Sequence, residues 1–436
     1  MWYKFLDRFL TEMIVIDRLR ITYPDGAARD YGPDTGAHAH LVVSDAATIR
    51  AIILSPDLGL GEGYMDGRIT PKDCTLDEVL EIIIRNRFAG SLPPWMLMAN
   101  RARFYLRRFI QHNAPQASRS NVAHHYDISD ELYAMFLDDD MQYSCGYFRD
   151  PDMTLEQAQA AKKAHIAAKL GLEPGMRVLD IGCGWGGMAL TLVRDYDCDV
   201  TGITLSENQL STAKKRAEAE GMTGRAQFIL QDYRHTRGSF DRIVSVGMLE
   251  HVGAPNFDTF FGRVAELLDP DGIALIHTIG RSAPPMAHSS WINKYIFPGG
   301  YVPSLSELAP AMERSGLWQS DIEIWRLHYA KTIRHWRDRF EARVDEIEAA
   351  YDAGFIRMFR YYLTVCILAF EHQMQAVYHF QLAHKRDSVP LTRDYLHPAG
   401  GEKRNQSADL LDRAMNPPSG SLTEGARGTV PDVMPT

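Results

Sequence analysis

The stretch Val178-Leu-Asp-Ile-Gly-Cys-Gly-Trp-Gly-Gly187 decides the fold, because it joins an apolar strand to a glycine-dense turn that opens a helix. Glycine in such a turn lets the backbone bend tightly and approach a ligand where a Cβ would clash. Repeated strand–helix units follow and predict an α/β fold with a mostly parallel, doubly wound sheet. We predict strands at 176–181, 198–205, 226–231, 241–248 and 272–278, and helices at 186–195, 207–220, 256–268, 330–351 and 354–375.

The glycines of this turn also match the G-x-G-x-x-G motif of dinucleotide-binding folds. Those folds place an acid about 20 positions later, at the end of the second strand, where it binds a ribose. Here the corresponding segment, 200–206, has no acid. Asp180 instead puts a carboxylate at the turn itself, where it would repel a pyrophosphate and would suit hydroxyls or an amine. The pattern favours S-adenosylmethionine (SAM) over a dinucleotide.

A chain of 436 residues is longer than a typical single domain. We divide it into a small N-terminal α+β domain at 1–84, a basic amphipathic linker at 85–119 and a catalytic domain at 120–398. The remaining segment, 399–436, is polar and rich in Pro, Gly and Ser, which is typical of a disordered tail.

Composition limits the cellular setting and the partners. The net charge of −9 gives no reason to expect nucleic acid as a partner. Five scattered cysteines without a C-x-x-C pair indicate reduced thiols rather than a disulfide framework. We see no signal peptide, and the most apolar short run, 365–370, is too short to span a bilayer. A cytoplasmic protein is expected, with any membrane contact peripheral.

Two segments carry signals of surface contact. The linker has seven arginines and no acid, interleaved with aromatic and aliphatic residues. This pattern suits an anionic bilayer surface, and it equally suits a helix whose arginines pair with the acidic catalytic domain. The long aromatic insertion at 283–302 is bounded by Pro and Gly, and its composition favours a packed lid over disorder.

Short polar segments fall where the predicted strands end, among them Tyr143-Ser-Cys-Gly-Tyr147 and Gly247-Met-Leu-Glu-His-Val-Gly253. With His125-Tyr-Asp-Ile-Ser-Asp-Glu-Leu132, Trp291-Ile-Asn-Lys-Tyr-Ile-Phe-Pro298 and the glycine turn, they closely resemble the cyclopropane fatty acid synthases and related mycolic acid methyltransferases. The resemblance spans roughly 120–390, and the N-terminal domain fits the longer synthases. It implies a class I SAM-methyltransferase fold, with a Rossmann-like doubly wound sheet, a helical cap and the small N-terminal domain.

The resemblance also implies where the methyl donor binds. In that family SAM lies over the glycine turn, beside the ends of the neighbouring strands. Transferred to this chain, and including the acid of the turn, the cofactor-binding residues are Tyr143, Ser144, Asp180, Gly182, Gly184, Thr204, Leu205, Gln209, Gln231, Asp232 and Tyr233. Among these, Asp232 at a strand end is expected to accept a hydrogen bond from the adenine amino group.

The reaction implied is methyl transfer from SAM to the cis double bond of an unsaturated phospholipid acyl chain. A base then removes a proton so that a cyclopropane ring closes, and in the family that base is a bound bicarbonate. The implied catalytic cage is Cys145, Glu250, His277, Ile279 and Tyr329, with backbone amides contributing at Cys145 and Ile279. Because like charges repel, Glu250 is expected to be protonated or to hydrogen-bond the bicarbonate hydroxyl.

Several alternatives remain open at this point. The same methyl transfer could give a methylene- or methyl-branched chain. A non-catalytic protein that binds lipid or SAM, or a methyltransferase of soluble substrates, would also fit parts of the pattern.

We expect no metal site, because His124, His125, His372, His379 and His384 lack a convincing ligand set. The implied location is peripheral to the inner face of the membrane, with a homodimer formed through the N-terminal domain.

Overall fold

The structure is a computed structural model that describes residues 2–89, 97–98, 101–102, 104–105 and 129–396. Most of the predicted linker, the predicted tail, and His124 and His125 lie outside the described residues. The chain divides into compact units at 391/392, and the described part of the second unit is one 3₁₀ turn, Arg393–Leu396. The elements below belong to the first unit.

The N-terminal part forms a four-stranded sheet packed against helices. Its strands have the order β2-β1-β3-β4; β1 pairs antiparallel with β2 and parallel with β3. The apolar sides of the sheet and helices enclose a core of their own around Leu19, Leu41 and Ile49. The elements are α1 (Trp2–Met13), β1 (Arg18–Thr22), β2 (Ala28–Tyr31), β3 (His38–Val43), α2 (Ala46–Leu54), α3 (Pro56–Met65), β4 (Ile69–Pro71) and α4 (Leu76–Ala89).

A seven-stranded sheet carries the glycine turn, and the predicted fold class is confirmed. Its order is β10-β11-β9-β8-β5-β6-β7. The five predicted strands pair in parallel, whereas β10 and β11, which the sequence did not reveal, are antiparallel and extend one edge. The strands are β5 (Arg177–Ile181), β6 (Asp199–Thr204), β7 (Ala226–Leu230), β8 (Phe240–Val246), β9 (Leu268–Arg281), β10 (Trp318–Trp325) and β11 (Gln375–Ala383). The strand order reverses beside β5, where such sheets bind ligands.

Local capping signals define several helices of this part. Thr154 begins α6 through a capping box, and Gly171 ends it in the left-handed region. The helix predicted at 330–351 is instead two helices, because the Arg343 N–H bonds the Phe340 oxygen three residues back and tightens the last turn. The helices are α5 (Asp130–Phe136), α6 (Leu155–Leu170), α7 (Gly187–Tyr196), α8 (Glu207–Ala219), α9 (Phe257–Leu267), α10 (Ser290–Tyr295), α11 (Leu305–Ser315), α12 (His328–Ala342), α13 (Val344–Ala350) and α14 (Ala353–His372).

Helix α14 lies in the core between the N-terminal helices and α12. By length and composition it is apolar enough to cross a membrane, although the run at 365–370 alone is too short. Phe359, Leu363 and Ile367 on this helix are fully buried inside the protein. The helix therefore serves here as a core element that joins the two sheets.

The insertion at 283–302 is packed, as its aromatic content indicates, and it docks on α3. The Asp57 carboxylate accepts hydrogen bonds from the Ser289 hydroxyl and from the backbone N–H groups of Ser290 and Trp291. Trp291 is fully buried, and its ring lies directly over Gly61. This contact fixes the N-terminal part against the insertion.

The close approach at Gly61 yields a test of this docking. A Cβ at position 61 would lie 2.3 Å from the Trp291 ring, so Gly61→Ala should destabilise the protein by about 1–3 kcal/mol through overpacking. Gly262→Ala is the matched control, because that helical position has open space and gains helix propensity. Thermal unfolding measures both variants. Equal stability of the two would contradict the docking described here.

Candidate active site

Two cavities meet at the carboxyl ends of the parallel strands. A cavity of about 170 Å³ lies over the glycine turn, and a larger one of about 730 Å³ extends from β9 and α12 to the N-terminal part. Four residues line both cavities: Tyr143, Ser144, Gly247 and His251. We call them the donor cavity and the acyl cavity. The two cavities therefore adjoin at these four residues.

The donor cavity is lined by all eleven residues that the sequence assigned to the cofactor. Glycine is required at its floor: Gly182 has a φ of +85°, and a Cβ there would lie 2.9 Å from Met248. A Cβ at Gly187 would lie 2.4 Å from the amide of Gln142. The glycines of the turn are therefore needed at these positions, because neighbouring side chains lie too close to the backbone to leave room for a Cβ.

Asp180 offers a hydrogen-bond acceptor inside the donor cavity. Its side chain is buried, and its Oδ2 atom has no partner among the described residues. Burial raises the pKa of Asp180 to about 7, against the opposing effect of the Lys162 charge. A buried acceptor without a partner costs free energy, so this position suits a ligand that donates from an amine or hydroxyl.

Polar groups at the ends of β6 and β7 are held in place by local hydrogen bonds. Ser206 caps α8 by accepting from the Gln209 N–H, and the Thr204 hydroxyl donates to the Gln209 side chain. Burial alone would raise the pKa of Asp232, but hydrogen bonds from Arg234 overcome that effect and hold it below its usual value. The Asp232 carboxylate is thus ionised and oriented, with acceptor capacity left for a ligand.

Sequence reasoning missed Lys162, which is fully buried on α6 and bonds two residues that line the donor cavity. Its ammonium donates to the Gln142 side chain at 2.6 Å and to the Ser144 hydroxyl at 2.7 Å. Burial lowers the pKa of Lys162 to about 8. A lysine within an otherwise ordinary helical pattern gives no sequence signal of this role.

Four of the five predicted cage residues line the acyl cavity: Glu250, His277, Ile279 and Tyr329. Cys145 does not line either cavity; it is fully buried in the neighbouring core, and its thiol donates to the Gly146 oxygen. Burial raises the pKa of the Cys145 thiol and that of the Tyr329 hydroxyl, so both groups are neutral. The contribution expected from the Cys145 backbone amide stays a prediction, while the Cys145 side chain is enclosed by the core.

Glu250 is bound to the backbone of β9. Its Oε1 atom accepts from the Ile279 N–H at 2.6 Å, while its Oε2 atom is buried without a partner among the described residues. Burial raises the pKa of Glu250 to about 7, opposed by the hydrogen bond from Ile279. The Ile279 amide, which the sequence assigned to the cage, thus donates to Glu250 in this structure.

His277 is oriented by a second histidine that the sequence had considered only as a metal ligand. The His277 Nδ1 and His379 Nε2 atoms lie 2.7 Å apart, on facing positions of β9 and β11. Burial lowers both pKa values well below the usual one, so the pair is neutral. The His379 Nδ1 atom has no partner among the described residues, and an unpaired lone pair there costs less than an unpaired N–H. His379 therefore donates to His277, whose own proton lies on Nε2, the nitrogen left for the cavity.

A cluster of ionisable side chains lies next to the histidine pair. Ligand atoms of His165, Glu323 and His379 lie within 4.8 Å of one another, close enough to hold a metal ion. However, Glu323 accepts from Lys169 and from His165 at 2.7 Å each, so its charge is already compensated. These two contacts compensate the negative charge of Glu323, so a metal ion is not needed to explain why the three side chains lie together.

Comparison with known proteins decides the family. The family model described as mycolic acid cyclopropane synthetase matches residues 113–380. The chain belongs to this family. A second model, described as a domain of unknown function, matches residues 5–89.

Members of the cyclopropane synthetase family resemble the chain over most of its length. A cyclopropane-fatty-acyl-phospholipid synthase of Escherichia coli (strain K12) is 40% identical over 338 residues, which are 77% of this chain and 85% of the relative. Among solved structures, a cyclopropane synthase from Mycobacterium tuberculosis gives a TM-score of 0.59 at 33% identity, covering 61% of this chain and 98% of that one. A mycolic acid cyclopropane synthase complexed with SAH and CTAB gives 0.58 at 34% identity, covering 61% and 97%. The chain is a SAM-dependent methyltransferase.

The raised pKa values of Asp180 and Glu250 predict how the stability of the ligand-free protein depends on pH. In the unfolded chain these carboxyl groups ionise near pH 4, whereas in the folded protein they keep their protons until about pH 7. Folded protein binds more protons in that window, so the free energy of unfolding falls as pH rises from about 4 to 7.

Asp180→Asn and Glu250→Gln should each flatten this decline, and denaturant unfolding at a series of pH values measures it. Glu218→Gln, at an exposed position, is the control and should leave the profile unchanged. A profile of either test variant that parallels that of the unmodified protein would show that the carboxyl group is ionised in the folded state.

The histidine pair leads to a prediction in which kcat changes and SAM affinity does not. His379→Leu removes the donor to His277 and should lower kcat by about tenfold, the equivalent of one buried hydrogen bond of ~1–1.5 kcal/mol, while SAM affinity stays the same. His379→Gln can present an amide donor at a similar position and should recover much of the rate. Steady-state kinetics and SAM titration measure this. If the Gln variant is as slow as the Leu variant, His379 has only a packing role.

Proposed function

We propose that the protein transfers the methyl group of SAM to the cis double bond of an unsaturated phospholipid acyl chain, and that proton removal then closes a cyclopropane ring with bicarbonate as the base. The observation that carries this proposal is that the two cavities lie side by side and share four lining residues. A small cavity with polar groups at strand ends adjoins a large apolar one, and Glu250, His277 and Tyr329 line the large cavity together with the shared residues.

The residues of the donor cavity fit SAM. The glycine turn allows close approach of a ligand, Asp180 accepts from an amine or hydroxyl, and Asp232 retains acceptor capacity for an adenine amino group. When bound, SAM supplies an electrophilic methyl group. Tyr143 and Ser144 form the wall shared with the acyl cavity, and Lys162 fixes the Ser144 hydroxyl, so this wall stays in place.

The cage fits bicarbonate as well. It presents the unpartnered Oε2 of Glu250, the Nε2–H of His277 and the hydroxyl of Tyr329. When bound, bicarbonate supplies a base that is not part of the protein. The protonated form of Glu250 donates a hydrogen bond, and neutral His277 and Tyr329 donate without competing for the substrate proton. Cys145 belongs to the proposed cage through its backbone amide, and its side chain is buried in the same core as Tyr329.

The walls of the acyl cavity suit a chain that passes through a carbocation. Phe297, Tyr362 and Phe370 line it beside the cage, and the negative faces of aromatic rings favour a nearby positive charge. Tyr362 and Phe370 are buried and Phe297 packs against the same core, so this wall excludes water that would otherwise capture the cation. The cation thus persists until a proton is removed from the added methyl group.

The proposal includes a cytoplasmic protein that associates with the membrane surface and forms a homodimer through its N-terminal domain. Described arginines of the basic segment support a role near the substrate: Arg87 and Arg101 line the acyl cavity. Arg85 pairs with Asp17 of the N-terminal part rather than with the catalytic part.

Lipid profiling after expression in a host that lacks the activity tests the function. Unsaturated lipids should gain one CH₂, and gas chromatography with mass spectrometry of the fatty esters should identify a cyclopropane ring. Glu250→Ala and His277→Ala should cut turnover while leaving SAM affinity largely intact, because both residues line the acyl cavity and not the donor cavity.

Three results would decide against parts of the proposal. Unchanged lipids, despite folded protein and available SAM, would rule out the reaction. Methylene- or methyl-branched esters would keep the methyl transfer and reject ring closure. Loss of SAM binding in the two variants, with unchanged chemistry per bound SAM, would contradict the cage.

A further inference from the structure

Arg281 is a buried cation at the wall of the acyl cavity. Only 5% of the residue is exposed, and its described side-chain hydrogen bond runs from Nε to the Val302 oxygen at 3.2 Å. No carboxylate of the described residues lies within ion-pair distance of its guanidinium group. A buried charge without a partner is unfavourable, so this position indicates a site for an anion.

The position of Arg281 relative to the cage is fixed by the strand. His277, Ile279 and Arg281 alternate along β9 and therefore share one face, and all three line the acyl cavity. A strand rises roughly 3.3 Å per residue, so the Arg281 Cα lies about 13 Å along β9 from that of His277. An extended chain whose double bond lies at the cage can thus have its polar end near Arg281.

The charges around this position reinforce the argument. Burial lowers the pKa of Arg281, and the positive charge of Arg87 lowers it further. Glu307, the nearby acid, accepts hydrogen bonds from the Tyr301 hydroxyl and the Ser304 N–H, so it is already engaged. The nearby positive charge of Arg87 makes an anion at the Arg281 guanidinium group more favourable. The planar fork of arginine matches a phosphate geometrically.

The acids that line the cavity do not supply that anion. Asp57 accepts from Ser289, Ser290 and Trp291, and the Oε1 atom of Glu250 accepts from Ile279. Neither forms an ion pair with Arg281 among the described residues. Among the described residues no carboxylate supplies that anion, so an anionic ligand would fit this position.

We propose that Arg281, assisted by Arg87, binds the phosphate of the phospholipid substrate and thereby sets which part of the acyl chain reaches the cage. This rests on the proposed function and specifies its substrate as an intact phospholipid. A phosphate diester also occurs on acyl carrier proteins, where a long arm separates it from the acyl group. The short separation along β9 favours the glycerol link of a phospholipid.

The test compares two lipids with identical unsaturated acyl chains, a phospholipid and the diacylglycerol that lacks the phosphate, each presented in vesicles of a saturated carrier lipid. The unmodified protein should methylate the phospholipid with a kcat/KM at least tenfold higher. Arg281→Met should lower kcat/KM for the phospholipid by about 10- to 100-fold, the effect of a lost charged hydrogen bond, and should leave the diacylglycerol value nearly unchanged. Arg281→Lys should retain an intermediate preference.

Arg194→Gln, on the surface of α7, is the control and should behave like the unmodified protein. SAM titration of each variant establishes that the donor cavity is intact. Independently of turnover, binding of a monomeric short-chain phospholipid measured by calorimetry should weaken in Arg281→Met by a similar factor.

The outcomes separate this inference from the proposed function. If the unmodified protein produces no ring on any lipid, the proposed function fails. If it forms rings but the preference for phospholipid persists in Arg281→Met, the phosphate site is wrong. The unmodified protein could instead show a higher kcat/KM on an unsaturated acyl carrier protein than on the phospholipid. If Arg281→Met removes that difference, the phosphate bound by Arg281 belongs to the carrier protein and the phospholipid assignment is wrong.

Discussion

The buried ammonium group of Lys162 is the interaction on which both cavities depend. It donates to Gln142 and Ser144, and Ser144 belongs to the wall between the cavities. Its charge also favours the ionised form of Asp180 and the neutral form of His277. A buried charge is unfavourable by itself, and Asp138 and Asp140 oppose the loss of its proton. One cation thus orients the wall and biases the protonation of groups on both sides of it.

Desolvation keeps the residues of the proposed cage neutral or shifts them towards the neutral form. Burial suppresses the charge of His277 and Tyr329 and raises the pKa of Glu250. A strongly basic side chain next to a carbocation would itself be alkylated, whereas neutral donors can hold an exchangeable base. The hydrogen bonds from Ile279 to Glu250 and from His379 to His277 fix these groups without adding charge. The same burial that accommodates an acyl chain therefore tunes the acid–base groups.

Local signals in the sequence were sufficient for the parallel part of the fold. The glycine turn, the Thr154 capping box and the alternation of strands and helices depend on neighbouring residues, and the structure follows them. The antiparallel strands β10 and β11 were missed, because their residues are paired across long separations in the chain. Lys162 and His379 were missed for the same reason: each acquires its role only from partners on other elements. The position of Cys145 behind the cavity wall likewise depends on how α12 packs.

The acyl cavity explains why the N-terminal part is fused to a methyltransferase. Residues of its sheet and helices, such as Leu19 and Leu41, line the cavity together with the cage residues on β9. The insertion closes against α3 through Asp57 and Gly61, so the apolar volume exists only while the two parts stay docked. The glycine turn shapes the donor cavity and does not determine the methyl acceptor. The docked N-terminal part adds the apolar length that a long acyl chain requires, and Arg281 marks where that length meets a charged end.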